Sequence, residues 1–307
     1  HFSSGFTRVW GRDVFVSLRG IFLVTGRYTE ARDHIIASAA LLRHGLIPNL
    51  HDSCMNPRYN SRDAVWWFLQ AIQDYTKMTP EGLDILNVMV PRLYPTDDLD
   101  EYNAQWKDKD TRPKSSLSDI IQEIMQKHAQ GIHFVEWNAG DQIDKNMTEA
   151  GFKIDISTNW SNGFVFGGNS MNCGTWMDKM GSSENASNKG IPATPRDGAA
   201  IEIIGLLEST LRWLNEIAQM GHYPYIGVDV GNEKITWDKW SKKIIASFEY
   251  WFYIPSNKSH DKSYFVETHL ANVRSIYKDT VGSLSAFGDY QCRPNQLVAM
   301  VVAPELF

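Results

Sequence analysis

GAAIEIIGLLESTLRWLNEIAQM, Gly198–Met220, is the most strongly periodic stretch in the chain. Its apolar residues recur every three or four positions, the spacing that gathers them on one face of an α-helix. Asp197 stands directly before it and reads as its cap. The same reading extends in both directions. Downstream, Thr236 caps WDKWSKKIIASFEYWFYI, and the apolar run from Gln296 to Ala303 starts a further helix. Upstream, Val14–Gly26 reads as a buried helix closed by its glycine, and a second helix starts near Thr29 and ends near His44-Gly45. Ser61 caps a third that runs to about Met78, and Ser116–Gln130 is another. FVFGGN (Phe164–Asn169) reads as a short hairpin strand, but no clear strand alternation or heptad appears elsewhere. Leu99–Ser116 is polar and reads as a loop, and Gly131–Pro195 is a long connection rich in Gly, Asn and Trp. The expectation is an all-α fold of roughly seven helices in helix–loop–helix pairs. With no short repeat period, a closed α/α barrel with its function in the loops at one end fits better than a solenoid. Seven helices do not close a ring of twelve, so the barrel is expected to be incomplete in this chain.

The composition narrows the partners. Of 307 residues, 43% are hydrophobic and 21% charged, so a large core is feasible. The net charge of −6 argues against nucleic acid, which needs a basic surface. No apolar run is long enough to span a bilayer, so no membrane partner is expected. The cysteines, Cys54, Cys173 and Cys292, form no CxxC pair and read as free thiols in a reducing cytosol, hence a cytoplasmic protein. Sequons at Asn146, Asn159, Asn185 and Asn257 are read as chance, since no signal sequence accompanies them. The chain opens at His1 and stops within an apolar run, which reads as a piece of a longer protein.

Eleven tryptophans stand out. Trp10, Trp137, Trp160 and Trp176 lie beside glycine or polar residues, where an aromatic face could stack on a sugar ring; filling a large core is the alternative. Three segments carry an Arg-Asp pair ahead of a periodic stretch: Arg12-Asp13 after Trp10, Arg62-Asp63, and Arg196-Asp197. A guanidinium donates to sugar hydroxyls and a carboxylate accepts from them; three independent helix caps are the plainer reading. NCGTWMDKMG (Asn172–Gly181) places Asp178 two residues after Trp176, between Gly174 and Gly181. Glu136, Asp141 and Asp289 are further carboxylates in glycine-bearing loops. Glycoside hydrolysis needs two carboxyl groups in different environments, and a dry aromatic pocket keeps one of them protonated. Asp178 suits that role by its flanks, against the alternative of a structural loop aspartate. No phosphate loop, GxSxG elbow or HExxH pair is present, and the scattered histidines have no metal-ligand spacing. Neither a cofactor nor a metal is expected.

Taken together, WGRD (10–13), TGRYTEARDHI (25–35), LRHGLIPN (42–49), RYNSRDAVWW (58–67), YPTDD (94–98), NCGTWMDKMG (172–181), GIPATPRDG (190–198) and RPN with MVVAPELF (293–295, 300–307) resemble the C-terminal amylo-α-1,6-glucosidase domain of eukaryotic glycogen debranching enzymes. The resemblance covers nearly the whole chain, so residues 1–307 are expected to be part of one such domain. It implies an (α/α)6 barrel related to glucoamylases. It also implies inverting hydrolysis of the single α-1,6-linked glucose left at a glycogen branch point. The partners it implies are glycogen or limit dextrin and the remaining parts of the debranching enzyme. Asp178 is then the general acid, and Arg12 and Asp13 hold the terminal glucose, with Trp10, Arg62, Asp63, Trp176, Arg196 and Asp197 as further substrate-binding candidates. The general base is expected in a Gly-Pro-Glu-Trp segment beyond APELF, which nothing in this chain matches. The sequence departs from the family's usual residues at Trp137, Asp141 and the LHDSC loop after Asn49. A non-catalytic glycan-binding piece and a structural helical scaffold remain the alternatives.

Overall fold

A computed structural model of the chain describes residues 8–52, 54–98 and 111–307. Seven helices of eight residues or more form among them: α1 (Gly11–Leu18), α2 (Tyr28–Ala39), α3 (Ala64–Met78), α4 (Leu117–Gln130), α5 (Ile201–Gln219), α6 (Trp237–Phe252) and α7 (Asn295–Val302). Helix α1 runs on through a π-helical turn, Arg19–Leu23. Gly26, at φ +75, then closes it, with the Gly26 and Arg27 amides donating to the carbonyls of Leu23 and Phe22. Ser116 and Asp119 form a capping box at the start of α4, and the Thr236 hydroxyl accepts from the Lys239 amide at the start of α6.

The helices are joined by short antiparallel strands. β1 (Val9–Trp10), β2 (Leu50–Asp52) and β3 (Met55–Arg58) form one sheet; β6 (Ile132–Val135), β7 (Lys153–Asn159) and β8 (Phe164–Gly167) form another. Two-stranded pairs join β4 (Met89–Pro91) to β5 (Lys114–Ser116), β9 (Ala199–Ala200) to β14 (Thr280–Val281), β10 (Gly227–Val230) to β11 (Glu233–Thr236), and β12 (Tyr253–Ile254) to β13 (Ile276–Tyr277). The all-α (α/α)6 barrel expected from the helix pattern and the resemblance is therefore corrected. The fold is mixed, with 44% helix, 18% strand and several small antiparallel sheets. The reason lies in the connections. A long buried connection must pair its backbone polar groups, and the strand pairs do this. In β7, Ile154 and Ile156 face the core while Lys153, Asp155 and Ser157 are exposed. Of the loop expected over 99–116, residues 99–110 lie outside the described residues, and Lys114–Ser116 is β5.

Helix α5 is the centre of the core. Fourteen of its 19 residues are buried, including Glu202, Glu208, Ser209 and Thr210. It packs against α3, α6 and α7, and the buried apolar cluster runs from Phe15 to Leu306. Each fully buried Leu or Ile stabilises the fold by roughly 1.5–3 kcal/mol. Asp197 is not its cap. Gly198, at φ +105, turns the chain into β9, which pairs with β14, and the first helical amide, of Ile201, donates to the Asp279 carbonyl. Among the described residues no helix is long and apolar enough to cross a membrane.

Candidate active site

The WGRD segment is pinned by its backbone. The Gly11 amide donates to the Asn49 carbonyl (2.7 Å) and the Arg12 amide to Asn49 Oδ1 (3.1 Å). A Cβ on Gly11 would collide with the Pro48 carbonyl oxygen, so only glycine lets the strand of Trp10 lie this close to the turn before β2. Helix α1 starts at once, leaving Arg12 buried and Asp13 exposed.

Arg12 gathers residues distant in sequence. Its Nε donates to both Asp63 oxygens (3.0 and 2.8 Å), and Nη2 donates to Asp63 Oδ1 (2.7 Å) and Ser61 Oγ (2.9 Å). Nη1 donates to Asp178 Oδ2 (3.1 Å). Burial works against the charge on Arg12, but the carboxylates of Asp63 and then Asp178 outweigh it and raise its pKa above the ordinary arginine value. The fork of a guanidinium can hold both carboxylates in fixed geometry, which a lysine could not. Oδ1 of Asp178 has no hydrogen-bond partner among the described residues.

The glycines of NCGTWMDKMG have separate reasons. Arg62 is fully buried beside Gly167 and Gly174; a Cβ on Gly174 would lie 3.3 Å from its Cγ and Cδ. The Arg62 amide donates to the Gly174 carbonyl (2.9 Å) and Nη2 to the Arg196 carbonyl (2.6 Å), while Nε and Nη1 have no partner among the described residues. Burial first, and then the Arg196 cation, push Arg62 down to about 10. Gly181 instead makes a turn base: its amide donates to the Ile191 carbonyl, its carbonyl accepts from Gly190, and a Cβ would strike Asn188. Burial, with Asp178 adding to it, pushes the Cys173 thiol up to about 11, so it is no nucleophile at neutral pH.

Arg196 adopts φ +47 and is buried in a charge network. It is paired with Glu202 (Nη2 to Oε2 2.6 Å) and with Asp279 (Nε to Oδ2 2.8 Å, Nη2 to Oδ1 3.0 Å), and Nη1 reaches Thr175 Oγ1 (3.2 Å). Asp197 accepts from the Leu284 amide (2.9 Å). Arg196 and Asp197 border a separate cavity of about 320 Å³.

A cavity of about 800 Å³ is lined by Trp10, Arg12, Asp13, Trp67, Trp176 and Asp178, with Val16, Ser17, Lys179 and Val298. Five candidates from the sequence therefore meet there: Trp10, Arg12, Asp13, Trp176 and Asp178. Arg62, Asp63, Arg196 and Asp197 do not line it. The three Arg-Asp segments interlock instead, Arg12 with Asp63 and Arg62 with Arg196. Asp13 makes no side-chain hydrogen bond or ion pair among the described residues. A second cavity, of about 280 Å³, shares Trp10, Asp178 and Lys179. The other candidate carboxylates serve the fold. Glu136 is buried on Arg58 (two bonds of 2.9 Å), Asp289 accepts from Thr280 Oγ1 and the Gly282 amide, and Asp141 starts an exposed helical turn. Trp137 is exposed away from the cavity, and Trp160 packs on Trp240 (4.8 Å). Sequence reasoning missed Trp67, Val16, Ser17, Lys179 and Val298 as lining residues; Trp67 carried a signal, since it follows Arg62-Asp63 at helical spacing.

The chain matches the family model described as amylo-alpha-1,6-glucosidase over residues 1–307. It is 49% identical over 309 residues to a protein of Saccharomyces cerevisiae named glycogen debranching enzyme, a match covering all of this chain and 20% of that protein. The chain thus spans about a fifth of that relative's length. With a match of this extent and identity, the chain belongs to the amylo-alpha-1,6-glucosidase family.

Proposed function

We propose that this chain is part of one amylo-α-1,6-glucosidase domain, residues 1–307, of a cytoplasmic glycogen debranching enzyme. It hydrolyses the single α-1,6-linked glucose at glycogen or limit-dextrin branch points, with inversion. The observation that carries the reading is Asp178. It sits in the wall of an 800 Å³ cavity faced by Trp10, Trp67 and Trp176, with Oδ2 held by Arg12 and Oδ1 unpartnered among the described residues. Asp178 gives its proton to the glycosidic oxygen as the C1–O bond breaks, so the glucan leaves as an alcohol rather than an alkoxide. Asp13, the cavity's other carboxylate, accepts from glucose hydroxyls, and the indoles offer apolar faces to the ring. Arg12 contributes by orienting Asp178 through Nη1, while its Nε and Nη2 donors are taken by Asp63 and Ser61. Arg62, Asp63 and Arg196 shape the site from behind the wall rather than touching sugar. A base on the opposite face of the ring, supplied by protein outside these residues, activates the attacking water. The remaining parts of the debranching enzyme are the partners. Among the described residues Cys54, Cys173 and Cys292 form no disulfide, which fits a reducing compartment. The test is glucose release from phosphorylase-limit dextrin by a full-length enzyme carrying this chain, followed by NMR. Fresh product in the β configuration supports the reading. Absence of glucose, or α-glucose as the first product, overturns it.

A further inference from the structure

We infer that Asn295 is a positioning residue for the glucosidase site: its side-chain amide sets the plane of Trp176 on the cavity wall. The inference rests on the functional reading above and goes beyond it, since Asn295 does not line the cavity. Trp176 is a partly exposed lining residue whose indole Nε1 donates to Asn295 Oδ1 at 3.0 Å. Asn295 itself is 1% exposed, at the first position of α7. Its Nδ2 donates to Asp279 Oδ1 at 2.6 Å. That pairing leaves no freedom in the amide. An indole N–H can only donate and an ionised carboxylate can only accept, so the amide oxygen must face Trp176 and the amide nitrogen must face Asp279. Asparagine offers both roles at that reach; aspartate would set two carboxylates against each other, and leucine would strand donor and acceptor alike.

Asp279 is in turn clamped. Arg196 binds it from one side (2.8 and 3.0 Å), and Arg293 binds it from another (Nη1 to Oδ2 2.6 Å). Arg196 is fixed independently by Glu202 of α5, the most buried helix of the fold. A chain of hydrogen bonds, charge-assisted as far as Asn295, therefore runs from the core helix through Arg196, Asp279 and Asn295 to one ring at the cavity. Asp279 and Glu202 are fully buried, and so is the Arg196 side chain, so the chain is shielded from competition by water. A ring held this way presents its face to a sugar without the entropy cost of ordering on binding. Trp10, the other tryptophan at the rim of similar exposure, lies on the short strand β1.

The test uses the full-length enzyme and limit dextrin, with KM and kcat read separately in Asn295→Ala, Trp176→Phe and the double variant. Trp176→Phe keeps an aromatic ring and removes only the indole and its N–H at an exposed position, so it folds even if Asn295→Ala does not. Each single variant should raise KM by roughly tenfold, the equivalent of one lost buried hydrogen bond, with kcat changed by less than about threefold. The double variant should be no worse than the poorer single one, because Asn295 acts through Trp176. Trp176→Phe with unchanged KM, or multiplied effects in the double variant, overturns the inference and leaves the functional reading standing. An inactive wild-type enzyme overturns both.

Discussion

Replacing Asp63 with alanine isolates the interaction on which the site's geometry depends. Asp63 has a fully buried side chain and takes Arg12 in a two-pronged clamp with contacts of 2.7–3.0 Å. The Arg12 side chain is 8% exposed, so without Asp63 its charge stays buried with only Asp178, 26% exposed, to answer it. Breaking a buried pair by removing one partner costs about 3–5 kcal/mol. Asp178 and Ser61 still share the guanidinium, which puts the expected loss near the lower end, about 3 kcal/mol. Urea unfolding of the chain, extrapolated to water, measures it. Arg12→Met with Asp63→Leu removes both charges, so the double variant should be more stable than Asp63→Ala alone. A loss under about 1 kcal/mol for Asp63→Ala, or a double variant that simply adds the single costs, would refute the clamp as described. In the full-length enzyme Asp63→Ala should also lower kcat, because Arg12 is freed to turn and Asp178 loses its fixed oxygen.

Two further outcomes follow from particular contacts. Gly174→Ala places a methyl 3.3 Å from the buried Arg62 side chain, and overpacking of this kind costs about 1–3 kcal/mol; a variant as stable as wild type by urea unfolding would mean Arg62 has room to move. Glu208, buried in α5 with Oε2 unpartnered among the described residues, is pushed up to about 7 by burial, partly offset by the Ser241 hydroxyl. Its unfolded value is near 4.5, so the unfolded state loses its proton first and stability should fall as pH rises from 4.5 to 7, then level. Glu208→Gln should flatten that part of the stability–pH curve, by up to about 3 kcal/mol; an unchanged curve would show that Glu208 ionises freely in the fold.

The helices were legible because their signals are local. The Ser116 capping box and the Thr236 cap involve residues three apart, and the apolar faces of α3–α6 repeat within each helix. The strands were harder, since most are two to four residues long and are set by partners elsewhere. Two left traces that went unread: the alternation of Lys153–Asn159, and Gly231-Asn232 between β10 and β11. Asp197 misled because the backbone after it pairs with Thr280–Val281, distant in sequence. The residues of the candidate site, Trp10, Asp13, Trp176 and Asp178, could be named from composition and flanks. What holds them could not, since the bonds of Arg12 to Asp63, Arg196 to Asp279 and Trp176 to Asn295 span 51, 83 and 119 residues.

The most direct test of the proposed chemistry compares two substrates in the full-length enzyme carrying Asp178→Asn. The substitution keeps the shape of the side chain and removes the proton it would donate. General acid catalysis contributes about 10²–10⁴-fold, so turnover of limit dextrin should fall by that much, while glycogen binding stays near the wild-type value. Fluoride leaves C1 of α-glucosyl fluoride without needing a proton, so hydrolysis of that substrate should fall far less. Limit-dextrin turnover within a few-fold of wild type, or equal losses on both substrates, would contradict Asp178 as the general acid.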